Sequence, residues 1–319
     1  MSKELSFLQK HLIFICGQIE NQERLVFIAH LHEALEKKAY ISQIMILEKG
    51  EKWSDGGRYK FQGVSIFPLG DKEQTIIALG RDGEVVTINL SGSQKSRIEV
   101  PGKVIGPLKG LRRIGDSLFA YGMRRQIFRL IGQNQWVLCD KGFPYLNKSE
   151  DPDDRLARIR RITDGMGSIE AIAGHNAEDF YAVGIKGEIW HYDGNSWLAE
   201  DSPTNHNLYD ITLSPDGDYY ICGQKGIVLK GRNKRWEPIE FIGSGEPDFY
   251  SVGWFNERLY VADGESLQVL KDDTLELVDL GEPEVVPSHQ IHVNDSMLLS
   301  VAGKEVYLTA DGKNWNFLL

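Results

Sequence analysis

The chain has 319 residues, 41% of them hydrophobic and 26% charged, with 11 prolines, which is the make-up of a folded globular protein and excludes a disordered, fibrous or low-complexity chain. Lys and Arg number 36 against 46 Asp and Glu, so the net charge of −10 disfavours a nucleic-acid coat and leaves only local basic patches for anions. Cys16, Cys139 and Cys222 are odd in number, widely spaced and without a Cys-x-x-Cys pair, so neither a disulfide framework nor a zinc site is indicated and a reducing cytoplasm is expected.

Read from the N-terminus, the apolar stretch at 12–16 is too short for a secretory signal, and those at 25–29 and 44–47 fall far below the roughly 18 residues a membrane helix needs. A short apolar strand ending in Gly then recurs in chain order. It appears as Ile15-Cys16-Gly17, Ala78-Leu79-Gly80, Ala120-Tyr121-Gly122, Ala182-Val183-Gly184, Ile221-Cys222-Gly223, Val261-Ala262-Asp263-Gly264 and Val301-Ala302-Gly303. The spacings of 63, 42, 62, 39, 41 and 39 residues give a period near 40, with two lengthened units.

Two further markers keep the same beat. A Gly, a few polar residues and a Trp recur, placing Trp53, Trp136, Trp197, Trp236 and Trp315; Ile98 and Leu277 are expected to stand in for the Trp in the other two units. Ile172, Ile211, Val252 and Ile291 each precede the Gly by 12 residues, in alternating apolar stretches that read as buried strands. The expected fold is therefore all-β: one seven-bladed β-propeller over residues 1–319, built of four-stranded antiparallel blades that pack face to face around an axis. Six blades with an unrelated N-terminal cap is the alternative, because residues 1–58 match the repeat least well and 24–30 fit either a second or a third strand.

Two units carry extra length. Leu31, Ala34, Leu35 and Ala39 sit at nearly helical spacing, predicting a short surface helix in the first unit. The insertion at 141–163 holds an acidic block followed by Arg155, Arg158, Arg160 and Arg161, read either as a binding loop or as a solvated charged loop. Antiparallel strands alternate direction, so each turn between second and third strands shares a face with the link to the next blade. On that face Arg81, Arg124, Arg125, Lys186, Lys225 and Lys304 form a candidate basic rim, diluted by Asp82, Glu265 and Glu305. Such a rim would attract a phosphate, a carboxylate or an acidic protein surface.

The run Ile172-Ala173-Gly174-His175-Asn176-Ala177-Glu178-Asp179-Phe180-Tyr181-Ala182-Val183-Gly184, continued to Trp197, resembles bacterial β-propeller repeats of the Asp-box or kelch-like kind. Thr309-Ala310-Asp311-Gly312-Lys313-Asn314-Trp315 is similar to the Asp-box hairpin of sialidase-like and assembly-factor propellers. The resemblance implies the fold, and implies either an enzyme or a binding scaffold. A sialidase needs an arginine cluster, a Tyr nucleophile and an acid. The early Arg-Ile-Pro motif is absent, and Ile127-Phe128-Arg129-Leu130 is the nearest string. The Asp-Gly pairs at Asp82, Asp193, Asp216, Asp263 and Asp311 fit hairpin turns better than catalysis. The eight histidines show no metal spacing, and no cofactor motif occurs.

The reading is a cytoplasmic, non-enzymatic binding propeller, monomeric on its own, whose partner is another protein, either a toxin blocked by an immunity protein or an assembly client. An acidic protein suits a basic target such as a nuclease. The alternative is a glycan-processing, sialidase-like enzyme.

Overall fold

In a computed structural model, residues 3–48, 52–102, 104–144, 167–242 and 245–319 are described. Seven four-stranded antiparallel sheets are arranged in chain order, each running from an inner strand at the axis to an outer edge. Blade 1 is β1 (Leu12–Asn21), β2 (Arg24–Leu31), β3 (Ser42–Glu48) and β4 (Lys52–Tyr59); blade 2 is β5 (Gly63–Pro68) to β8 (Gly92–Arg97). Blade 3 runs from β9 (Leu108–Ile114) to β12 (Gln135–Leu138), and blade 4 from β13 (Ile169–Asn176) to β16 (Trp197–Glu200). Blades 5, 6 and 7 are β17 (Leu208–Leu213) to β20 (Arg235–Pro238), β21 (Ser251–Phe255) to β24 (Thr274–Leu277), and β25 (Gln290–Val293) to β28 (Trp315–Phe317).

A lone four-stranded sheet cannot bury both faces, and the core shows how this one does so. Among the described residues, the buried apolar side chains fall into seven clusters, and each cluster lies between two neighbouring blades. The ring closes between blades 7 and 1 in the same way, with Leu299, Val301 and Leu319 packed on Phe14, Phe27 and Trp53. Phe14 N–H also donates to the Gly303 carbonyl at 2.6 Å across this junction.

The repeat markers have physical causes. A Cβ on Gly184 would lie 2.0 Å from the Ser168 carbonyl oxygen, one on Gly223 2.2 Å from that of Asn207, and one on Gly122 2.4 Å from that of Pro107. At each of these the second strand presses on the link that enters its own blade, and only Gly fits. The five hairpin tryptophans lie on the outermost strands and pack into the clusters shared with the preceding blade. Ile172, Ile211, Val252 and Ile291 are buried on the inner strands, as their alternation predicts.

Two expectations need correction. Ile15-Cys16-Gly17 lies on the inner strand β1, not on a second strand; the second strand is β2, which ends at Leu31 without Gly. The reason is that the chain enters β1 directly from a helix, α1 (Lys3–His11), so no returning link crowds the end of β2. Leu277 is 59% exposed and anchors nothing; Leu275 packs in the cluster between blades 5 and 6 instead. The first blade is thus a full blade with long strands, and the predicted surface helix is present as α2 (His32–Glu36) in its β2–β3 connection.

Candidate functional site

The connections between second and third strands and the blade-to-blade links share one face, and the axial channel opens there. The cavity at its mouth has a volume of about 840 Å³. Its upper wall comes from links and turn tips, including Tyr40, Gln62, Gly264, Pro287 and Gly303, and its deeper wall from inner-strand residues such as Gln18 and Arg112.

The candidate rim residues lie on this face, but they form an arc and not a ring. Arg81, Arg124, Lys186 and Lys225 stand exposed at the tips of blades 2 to 5. Lys304, on blade 7, is separated from them by the Asp263-Gly264-Glu265 tip of blade 6. Arg125 does not join the exposed set: its guanidinium is held by Glu188, with Nε 2.8 Å from Oε2, and lies 5.9 Å from the Trp190 ring centre. Arg124 turns to the Val104 carbonyl at 3.0 Å. These two arginines do not converge on the cavity, as a sialidase-type carboxylate clamp requires. Arg124, Arg125, Lys186 and Lys225 all have left-handed backbone, with φ between 51° and 62°, which is uncommon for side chains of this kind. Arg155, Arg158, Arg160 and Arg161 lie outside the described residues.

The channel interior is the part that the sequence reading did not single out. Tyr209 and Tyr250 stack with ring centres 5.5 Å apart, and Tyr250 meets His289 at 4.8 Å. These three sit at the same repeat position, two residues before the buried markers Ile211, Val252 and Ile291. That periodicity was the available signal. One residue deeper lie Asp210, Ser251 and Gln290, all polar. Lys109 Nζ pairs with Glu170 at 3.0 Å, and Arg112 donates to the Ile211 carbonyl at 3.3 Å.

Burial sets the protonation of the interior. Desolvation raises the Asp210 carboxyl above its ordinary value, with Arg112 opposing, and raises the Tyr121 phenol strongly. Tyr121 belongs to the second strand β10 (Ser117–Gly122), yet its hydroxyl reaches the channel past Gly110, where a Cβ would lie 2.4 Å from it. Desolvation, then Arg112, lowers His292 to about 3, so its Nδ1 remains an acceptor for the Ile19 N–H at 3.2 Å.

The Asp-Gly pairs sit in turns, as expected. Asp311 Oδ1 accepts the N–H groups of Lys313 and Asn314 at 2.8 and 2.7 Å, and Asp193 Oδ1 does the same for Asn195 and Ser196 at 2.9 and 2.8 Å. Both carboxyls are held below their ordinary range by these bonds. Among the described residues no group of His, Cys, Asp and Glu is arranged to hold a metal, and no helix is long and apolar enough to cross a membrane.

No family model matches the chain. Over 210 residues, 66% of this chain, it is 35% identical to the Immune protein Tsi7 of Pseudomonas aeruginosa, and the match spans 63% of that relative's length, a little under two thirds. Among solved structures it is similar to YCF48 from Cyanidioschyzon merolae, with a TM-score of 0.64 at 13% identity over 95% of this chain and 97% of that one. It is similar to the WD40 propeller of Doa1 (0.63, 9%, over 96% and 93%), and to catalytically inactive virginiamycin B lyase from Staphylococcus aureus with quinupristin (0.62, 8%, over 96% and 94%). At these identities the structural likenesses show the seven-bladed β-propeller fold and nothing of function.

Proposed function

We propose that the chain is a cytoplasmic, non-enzymatic immunity protein that binds a toxin as a monomer, through the face on which the channel opens. The observation that carries this is the 35% identity to an immune protein over 210 residues. The geometry is compatible: a broad preformed face, a roomy mouth and exposed charged tips suit a partner burying on the order of 1,600 Å² in total. Free thiols at Cys16, Cys139 and Cys222 agree with a reducing compartment. The sialidase-like alternative has weaker support, because Arg125 is engaged by Glu188 and the Lys109 and Glu170 charges answer each other inside the cavity.

The test is co-expression of this chain with the product of each neighbouring reading frame, scored by host viability. One neighbour that is toxic alone, tolerated with this chain and recovered with it as a stoichiometric complex supports the reading. Toxicity that the chain leaves unchanged, with turnover of a glycoside panel by the purified chain, contradicts it.

A further inference from the structure

We infer that the channel mouth beside blades 5 to 7 is a seat for a basic protein segment, which stacks an arginine side chain on Tyr209 and Tyr250. This rests on the protein-binding reading above and names the chemistry of the partner's contact.

Three independent features meet there. The first is the cavity itself, about 840 Å³ and within the range of specific binding pockets, open at the face and lined by both aromatic rings. Tyr250 is 39% exposed, so its ring extends from the cavity to the surface, where a protruding loop can reach it. Aromatic faces attract cations, and the planar guanidinium stacks on them better than an ammonium does.

The second feature is charge. The rim of blades 6 and 7 carries Glu246, Glu265, Glu282, Glu284 and Glu305, with Lys304 the one Lys or Arg among the described residues of those turn tips and links. Burial, and after it the neighbouring Glu282, raises the Glu305 carboxyl. Val285, 60% exposed on the same link, adds apolar surface of the kind found at protein interfaces. On blades 2 to 5 the exposed Arg81, Arg124, Lys186 and Lys225 are interspersed with Asp82, Glu99 and Asp201, so blades 6 and 7 are the sector where acid outnumbers base and a basic segment is favoured.

The third feature is the floor. Gln18, on β1, is 6% exposed, lines the cavity and lies within hydrogen-bonding reach of the Cys16 thiol. A primary amide on the cavity floor offers both a donor and an acceptor to what enters. A guest side chain or the water it carries meets them.

The experiment titrates the purified full chain with fluorescein-labelled hexa-arginine, hexa-lysine and hexa-glutamate peptides by anisotropy. The expected order is arginine over lysine, with no binding of glutamate. The double variant Tyr209→Ala, Tyr250→Ala should lose the arginine preference and at least tenfold in affinity. Glu265→Gln with Glu282→Gln and Glu284→Gln, all exposed, should weaken both cationic peptides several-fold while keeping the preference. Native circular dichroism qualifies each variant, and the glutamine variant stands as the test if the tyrosine variant misfolds. Equal binding of the glutamate peptide, or arginine binding indifferent to both variants, overturns the inference, as does a co-purified small molecule that fills the cavity. Failure of the viability rescue leaves this titration unaffected. Successful rescue with failed titration rejects only the seat.

Discussion

The Asp210 carboxylate, on the inner strand of blade 5, accepts the backbone N–H of Val252 on the inner strand of blade 6 at 3.0 Å and the Ser251 hydroxyl at 2.7 Å. Ser251 Oγ in turn accepts the Ile291 N–H of blade 7 at 3.1 Å, and Gln290 Oε1 accepts the Gly17 N–H of blade 1 at 3.0 Å. On the inner strands of blades 5, 6 and 7 a polar residue thus reaches the next blade, so this arc of the ring is tied at its axis as well as packed at its wedges. Replacing Asp210 by Ala strands a buried N–H and should cost about 1–3 kcal/mol by urea unfolding, whereas Asn, which retains an acceptor, should cost less. Equal losses for the two variants would show that a neutral acceptor of the same shape cannot replace the carboxylate.

The hairpin tryptophans divide into two kinds. Trp197 Nε1 donates to the Cys139 carbonyl at 2.9 Å and Trp236 Nε1 to Glu200 Oε2 at 2.6 Å, each bond reaching back to the preceding blade. Trp136 Nε1 and Trp315 Nε1 are buried without a hydrogen-bond partner among the described residues. Trp→Phe at 197 or 236 should therefore destabilise by about 1–3 kcal/mol, and at 136 or 315 should be near neutral. Thermal melts of the four variants decide it, and four equal shifts would contradict the assignment.

The marker glycines make a similarly sharp contrast. Ala at 184 or 223 meets backbone oxygen and should cost at least about 2 kcal/mol, because a strand and a link must both move. Ala at Gly92, whose added Cβ meets nothing within 4 Å, is penalised only through its left-handed backbone, with φ at 133°. Chemical denaturation should rank 184 and 223 above 92.

Acid should loosen the ring closure. The folded value of about 3 for His292 lies below the 6.5 of an ordinary imidazole, so the unfolded chain binds the proton more readily. His30, which meets the Gly63 carbonyl at 3.0 Å, and His289 are lowered by burial in the same direction. Stability is then complete above about pH 6.5 and falls as pH drops from there toward 3, by on the order of a few kcal/mol. His292→Gln should flatten the profile between pH 6.5 and 4.5; an unchanged slope would remove His292 as its source.

On the rim, Lys186 and Lys225 occupy left-handed backbone that Asn tolerates better. Lys186→Asn and Lys225→Asn should raise stability by a few tenths to about 1 kcal/mol, while Arg125→Ala should lower it by breaking the Glu188 contact. Any partner affinity lost in the two Lys variants then reports binding and not folding.

The fold was legible because its constraints repeat. Each wedge needs the same buried inner residue, the same Gly against the entering link and the same outer Trp, so the period survives where single residues differ. Blade 1 was misphased because α1 precedes it in place of a link, which removes the demand for Gly and leaves Gly17 as a false marker against the Phe27 ring. The rim positions were legible from strand alternation, but pairing across blades was not: the 63 residues between Arg125 and Glu188 hide their contact. The channel was hidden for a similar reason. Tyr209, Tyr250 and His289 are about 40 residues apart in sequence and come together only when the ring closes.

The central claim is that the face with the channel mouth binds a protein, and hydrogen exchange of the chain alone and with the partner recovered by co-expression tests it most directly. The account predicts protection at the turn tips around 81–83, 123–126, 185–187, 224–226, 263–265 and 303–305 and at the link 278–289. Protection confined to the opposite face, at the hairpin turns around 90–91, 133–134, 193–196 and 233–234, would contradict it.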